Sequence, residues 1–177
     1  PADSLKTPPH IAPVWYFTPY YSMLRAITED FMLVLAVGVA AYVILIWLTA
    51  RDQRIKFAAP VIGLALIVLM VGGPLALEAK VWGVAAMGAA TLIFFLLPWL
   101  DRSPVKSIRY KGPLFKAALS IFVIVFLVLG YYGTQTVTPA GTLISQIGTL
   151  VYFAFFLLMP WYSAMDKTQP EPDRVTM

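Results

Sequence analysis

The residues best suited to chemistry lie in one stretch, 7–27, TPPHIAPVWYFTPYYSMLRAI. Prolines at 8, 9, 13 and 19 restrict its backbone to extended and turn geometry. Between and just after them stand Trp15, Tyr16, Phe17, Tyr20 and Tyr21. Rings on so stiff a backbone can form an aromatic-walled pocket at a membrane surface, suited to a flat apolar ligand such as a quinone ring. A plainer reading is an aromatic belt segment that leads into a membrane span, and composition by itself favours the belt. From Tyr20 to Ile27 the pattern predicts a short helix lying at the interface.

Little else in the chain can do chemistry. There is one histidine, His10, and no cysteine. A bis-histidine haem or a His-based metal site needs more than one imidazole, and thiolate-held clusters need cysteine, so no metal site is expected within this chain. His10 reads as a polar loop residue. Proton pumps, ion-coupled transporters and voltage sensors need charges inside the membrane. The apolar stretches described next have none in their interiors, and Lys116, at an end, can snorkel to the interface.

The elements that must hold residues 7–27 are membrane helices. The 177 residues are 60% hydrophobic and 12% charged, with 13 Lys+Arg against 9 Asp+Glu and a net charge of +4. A soluble domain is roughly a quarter charged. This composition excludes a soluble globule, a disordered tail and a disulfide scaffold, and its thinly spread basic excess is no nucleic-acid footprint. The chain lacks an initiator Met, and residues 1–20 lack the layout of a signal peptide, so a processed chain or a piece of a longer one is expected. Crossing a hydrocarbon core of about 30 Å takes roughly 20 apolar residues as a helix. Five stretches are expected to do so: Phe31–Thr49, Val61–Leu77, Trp82–Leu100, Phe115–Tyr132 and Ile144–Trp161. The second contains Gly72-Gly73-Pro74 and is expected to be kinked there. The fold class is therefore all-α integral membrane, with five spans after an aromatic, proline-rich interfacial loop and a short amphipathic helix.

With five spans, one face collects Arg51, Arg54 and Lys56, then Arg102, Lys106, Arg109, Lys111 and Lys116, then Lys167 and Arg174. The opposite face has only Lys6, Arg25 and Lys80. The positive-inside rule then puts the N-terminal loop outside and the C-terminus in the cytoplasm. Trp15, Trp47, Trp82, Trp99 and Trp161 all fall near expected span ends, where amphipathic rings prefer the interface. The polar tail, residues 166–177, has two prolines and is expected to be poorly ordered.

Residues 7–27 resemble the quinol-oxidation loop of cytochrome b, the membrane core of the quinol–cytochrome c oxidoreductase. The family's Pro-Glu-Trp-Tyr motif reads here Pro13-Val14-Trp15-Tyr16, followed by Pro19-Tyr20-Tyr21 and Leu24-Arg25. FFLLPWLDRSPVKSIRYK, residues 94–111, resembles the end of the family's sixth helix and its basic loop. The last two spans resemble its final helices, with Gln146-Ile147-Gly148 near the start of the last. The resemblance covers residues 1–27 and about 83–167, the C-terminal portion of the family's chain. Residues 28–80 have no counterpart in its common form. They imply an added two-helix hairpin, which preserves downstream orientation because it adds an even number of spans. A proteobacterial form of the family is expected.

The resemblance divides the chain into a periplasmic-side loop and interfacial helix (1–30), the added hairpin (31–80), three cytochrome b C-terminal helices (81–165) and a cytoplasmic tail (166–177). It implies binding of ubiquinol and ubiquinone against Pro13, Val14, Trp15, Tyr16, Phe17 and Tyr21, with Tyr21 and Tyr16 orienting the ring. Haem b would be ligated by histidines outside this chain, in the N-terminal haem-bearing half. The implied partners are that half, the Rieske iron–sulfur protein, cytochrome c1 and membrane lipid, with no nucleic acid, in a dimeric complex of the bacterial inner membrane. The chain alone is expected to be inactive. One departure bears on the chemistry: the family's motif glutamate helps take the quinol proton, and Val14 has neither donor nor acceptor. The rival reading is a non-catalytic multi-spanning scaffold subunit, which leaves the ordered motif matches unexplained.

Overall fold

In the computed structural model, which describes residues 12–170, every regular element is helical. A 3-10 turn, Trp15–Phe17, runs directly into α1, Thr18–Ala26. Five long helices follow: α2 Glu29–Thr49, α3 Gln53–Val71, α4 Ala79–Leu100, α5 Pro113–Thr134 and α6 Pro139–Leu157. A short α7 spans Met159–Met165. Each of the five is long and apolar enough to cross a membrane, and most of their surface faces outward, as lipid contact requires. The chain is a multi-pass membrane protein.

The second span differs from its expected limits. Helix α3 starts at Gln53, where Asp52 accepts a hydrogen bond from the Arg54 backbone N–H at 2.9 Å. It carries Pro60 inside it and ends at Val71. Gly72-Gly73-Pro74 therefore stops the helix and does not kink it. The Gly72 N–H still donates to Val68 O, but Gly73 takes φ +61°, a conformation that glycine adopts without penalty. The polar first turn, with Gln53, Arg54 and Lys56, hid the true start from a hydropathy reading. In α4, the ring of Pro98 cannot coexist with an α-helical Phe94 carbonyl, and the helix tightens to 3-10 over Ile93–Leu96.

Two packing units are present, one comprising residues up to Ser22 and from Gly88 onward, the other Met23–Met87. In the second, α2 packs along α3, and Gly63 lies beneath the Val43 side chain. Ile27, Phe31 and Met32 form its buried cluster, with Leu35, Met70, Trp82 and Ala86 packed around it. The first unit is built on α5 and α6. Phe122 stacks on Phe155 at 4.5 Å and meets Tyr152 and Phe156, both fully buried. The Tyr152 hydroxyl donates to Ala90 O at 2.8 Å, so this buried polar group is satisfied.

The start of the tail is held in place, contrary to the expectation of disorder from residue 166. Asp166 accepts from the Leu114 and Phe115 backbone N–H groups, both at 3.2 Å, and so caps α5 with a negative charge at its positive end. The Gln169 N–H donates to Tyr110 O at 2.8 Å.

Candidate functional site

Val14 is extended, and its carbonyl accepts from the Phe17 N–H at 2.8 Å, which closes the 3-10 turn. Thr18 then locks that turn from below. Its hydroxyl donates to Trp15 O at 2.7 Å, and its own N–H is directed to the same carbonyl. Pro19, in the first turn of α1, loses no helical hydrogen bond there and pre-sets the backbone. The result is a row of rings displayed outward: Trp15 is 82% exposed, Tyr16 54% and Phe17 43%. Val14 is exposed beside them, while Pro13 and Tyr21 are half-buried. Pro8, Pro9 and His10 lie outside the described residues.

The rings are linked edge to face, Trp15 to Tyr16 at 5.6 Å, Tyr16 to Phe17 at 5.9 Å and Phe17 to Tyr20 at 6.0 Å. Tyr20 reaches Phe126 of α5 at 6.0 Å, and Phe126 stacks on Phe122. A continuous aromatic chain thus runs from the exposed turn to the fully buried core of α5 and α6. Of the six residues assigned to the site, Pro13 and Val14 lead into this turn, Trp15, Tyr16 and Phe17 form it, and Tyr21 lies in the helix after it. The exposed rings of Trp15, Tyr16 and Phe17 form an open shelf.

Several contacts beneath the shelf escaped the sequence reading. Gly133 and Gly130 of α5 face Thr18 and Pro19, and a Cβ at Gly133 would overlap the Thr18 carbonyl. The Ser22 and Ser145 hydroxyls hydrogen-bond at 2.9 Å, joining α1 to α6 where both are buried. Thr149 donates back to Ser145 O at 2.7 Å. The Gly130–Gly133 spacing was the available signal, since residues three apart share a helix face.

At the opposite end of α5 the chemistry is ionic. Lys111, 5% exposed, pairs with Asp101 and lies over the Phe115 ring at 3.7 Å from its centroid. Ser163, fully buried, accepts from the Arg102 N–H at 3.0 Å. Burial raises the Tyr162 phenol above its usual range, and the Asp101 carboxylate adds to the effect. Tyr162 thus stays a neutral donor, to Phe155 O at 2.7 Å. Nothing from Pro13 to Tyr21 carries a formal charge at neutral pH. The shelf can stack against a flat ring and offer tyrosine hydroxyls, but Val14 cannot accept a proton.

A family model described as cytochrome b(C-terminal)/b6/petD matches residues 1–77 and 74–153. Cytochrome b of Allochromatium vinosum is 45% identical over 176 residues, which cover 99% of this chain and 31% of that protein. Cytochrome b of Cereibacter sphaeroides is 34% identical over 172 residues, covering 97% of this chain and 31% of the relative. The chain thus spans about a third of the length of the curated relatives it matches. A solved structure described as a hyperthermophilic respiratory Complex III superposes with a TM-score of 0.61 at 31% identity, covering 94% of this chain and 29% of that one. By a family match that spans most of its length, the chain belongs to the cytochrome b C-terminal family.

Proposed function

We propose that this chain is part of a quinol–cytochrome c oxidoreductase and that residues 13–21 form one wall of its outer quinol-oxidation site. The observation that carries the reading is the exposed ring row of Trp15, Tyr16 and Phe17, displayed on a turn whose Thr18 anchor is buried. An exposed aromatic face on a rigid seat, in a chain that spans a third of its relatives, is what half of a shared cavity needs. The remainder of the wall comes from the N-terminal haem-bearing half, beneath the Rieske iron–sulfur protein and near cytochrome c1, in a dimer. Haem b and an iron–sulfur centre, held by those other subunits, would supply the electron acceptors for quinol. The single histidine of this chain cannot supply the paired ligands of haem b, which belong to that other half.

On this reading the chain's own residues bind and orient. Pro13 and Pro19 fix the backbone, Trp15 and Phe17 pack against the ring, and the rings together exclude water. Tyr16 and Tyr21 hold the ring through their hydroxyls. A group other than Val14, or a water chain, accepts the proton. The shelf lies against the C-terminal end of α5, whereas Asp166 and the basic 101–112 stretch lie at its N-terminal end. That separation supports a periplasmic shelf and a cytoplasmic basic loop in the bacterial inner membrane. The hairpin of residues 31–80 is an addition to the common form.

The test is Tyr21→Phe in the complex assembled with full-length cytochrome b. Quinol turnover should fall roughly tenfold, as expected for one lost hydrogen bond to the substrate. Haem content, which reports assembly, should stay unchanged. Unaltered turnover removes Tyr21 from the site. If Trp15→Ala and Tyr16→Phe are silent as well, the scaffold reading takes its place.

A further inference from the structure

We infer that Gly133 is a positioning residue for the quinol-oxidation site: its missing side chain sets the depth at which the Trp15–Phe17 turn is seated. This rests on the reading of residues 13–21 as a wall of that site.

A Cβ at Gly133 would overlap the Thr18 carbonyl oxygen and lie 2.6 Å from the Thr18 carbonyl carbon and 2.9 Å from its Cβ. Two of these three atoms are backbone, and Thr18 is 3% exposed. A flexible side-chain end can swing aside, but a buried backbone carbonyl can only move with its segment. Thr18 in turn holds the Trp15 carbonyl through its hydroxyl at 2.7 Å. Any side chain at position 133 therefore lifts Thr18, and Thr18 carries the ring row with it.

The effect is specific to one glycine of the pair. A Cβ at Gly130 would lie 3.5 Å from Thr18 Oγ1 and 3.6 Å from Pro19 Cγ, which is ordinary contact. On α4, a Cβ at Gly88 would meet nothing within 4 Å. The Ser22–Ser145 hydrogen bond, 2.9 Å and buried, provides a second, independent fixing point one turn further along α1.

The experiment measures kcat and KM for quinol in the assembled complex carrying Gly133→Ala, Gly130→Ala or Gly88→Ala, with haem content as the measure of assembly. Gly133→Ala should raise KM on the order of tenfold with kcat within about twofold, since a shift of one wall misplaces the bound ring. Gly130→Ala and Gly88→Ala should leave both constants within about twofold. An unchanged KM with less assembled complex makes Gly133 merely structural and overturns the inference. If Trp15→Ala raises KM and Gly133→Ala does not, the positioning role falls while the quinol-site reading stands. If neither variant moves KM, that reading falls too. Should Gly133→Ala fail to assemble, Ser145→Ala replaces it: a KM raised about threefold supports a seated turn, and an unchanged KM overturns it.

Discussion

Helices α5 and α6 and helices α2 and α3 are both close antiparallel pairs, yet they are held together differently. Along α5 and α6 the contacts are specific: stacked Phe122 and Phe155, buried Tyr152 and Phe156, and Gly148 beneath Leu129, where an added Cβ would come within 3.0 Å of the leucine. Buried hydroxyls at Ser145 and Thr149, and the Asp166 cap, add directional bonds. The α2–α3 pair is more hydrophobic but buries less, with Phe31, Met32 and Ala36 on one helix and Gly63 on the other. In lipid, apolar surface gains little by leaving one apolar medium for another, so shape and hydrogen bonds decide how helices pack. Greater hydrophobicity therefore does not mean tighter packing. The pair rich in such contacts is also the one that seats the aromatic turn.

The comparison can be broken most decisively at Phe156. Phe156→Ala removes a fully buried ring that meets Phe94 and Phe122, and should destabilise the complex by about 3 kcal/mol in thermal or denaturant unfolding in detergent. A smaller loss is expected in the hairpin at Gly63, whose added Cβ would meet the stiff Val43 side chain. Gly63→Ala should cost about 1–2 kcal/mol in the same assay, and Val43→Ala in the same chain should restore most of it. Asp166→Asn keeps the size of the cap but removes its charge, and should cost about 0.5–1 kcal/mol, less at high salt. The smallest effect belongs to Leu64→Ala on the open face of α3, within about 0.5 kcal/mol. A loss at Leu64 equal to that at Phe156 would show that the hairpin face is packed against protein and would erase the contrast.

Much of the architecture was legible in the sequence. Five long apolar helices are present as hydropathy indicated, though the second and fifth start and end earlier than expected, and the short helix expected from Tyr20 to Ile27 is found as α1, Thr18–Ala26. The second span was shifted because window hydropathy discounts a polar first turn. Gly72-Gly73-Pro74 looked like a kink because composition cannot say whether a helix resumes beyond it. At the candidate site the motif located the exposed ring row of Trp15, Tyr16 and Phe17, since ring type and proline spacing are local features. It did not locate Thr18, Gly133 or Ser145, whose roles depend on contacts between distant segments.

What the sequence determined by itself was the medium and the local shape: a membrane chain of five spans, a rigid aromatic turn, and a basic stretch at the far end of a helix. These follow from hydropathy, charge and backbone restriction, which act over one or two turns. Only the tertiary structure decided which atoms meet. Ser22 bonds to a hydroxyl 123 residues away, and Asp166 caps a helix start 51 and 52 residues before it. Such pairings depend on how helices pack side by side, and no short window of residues encodes that packing.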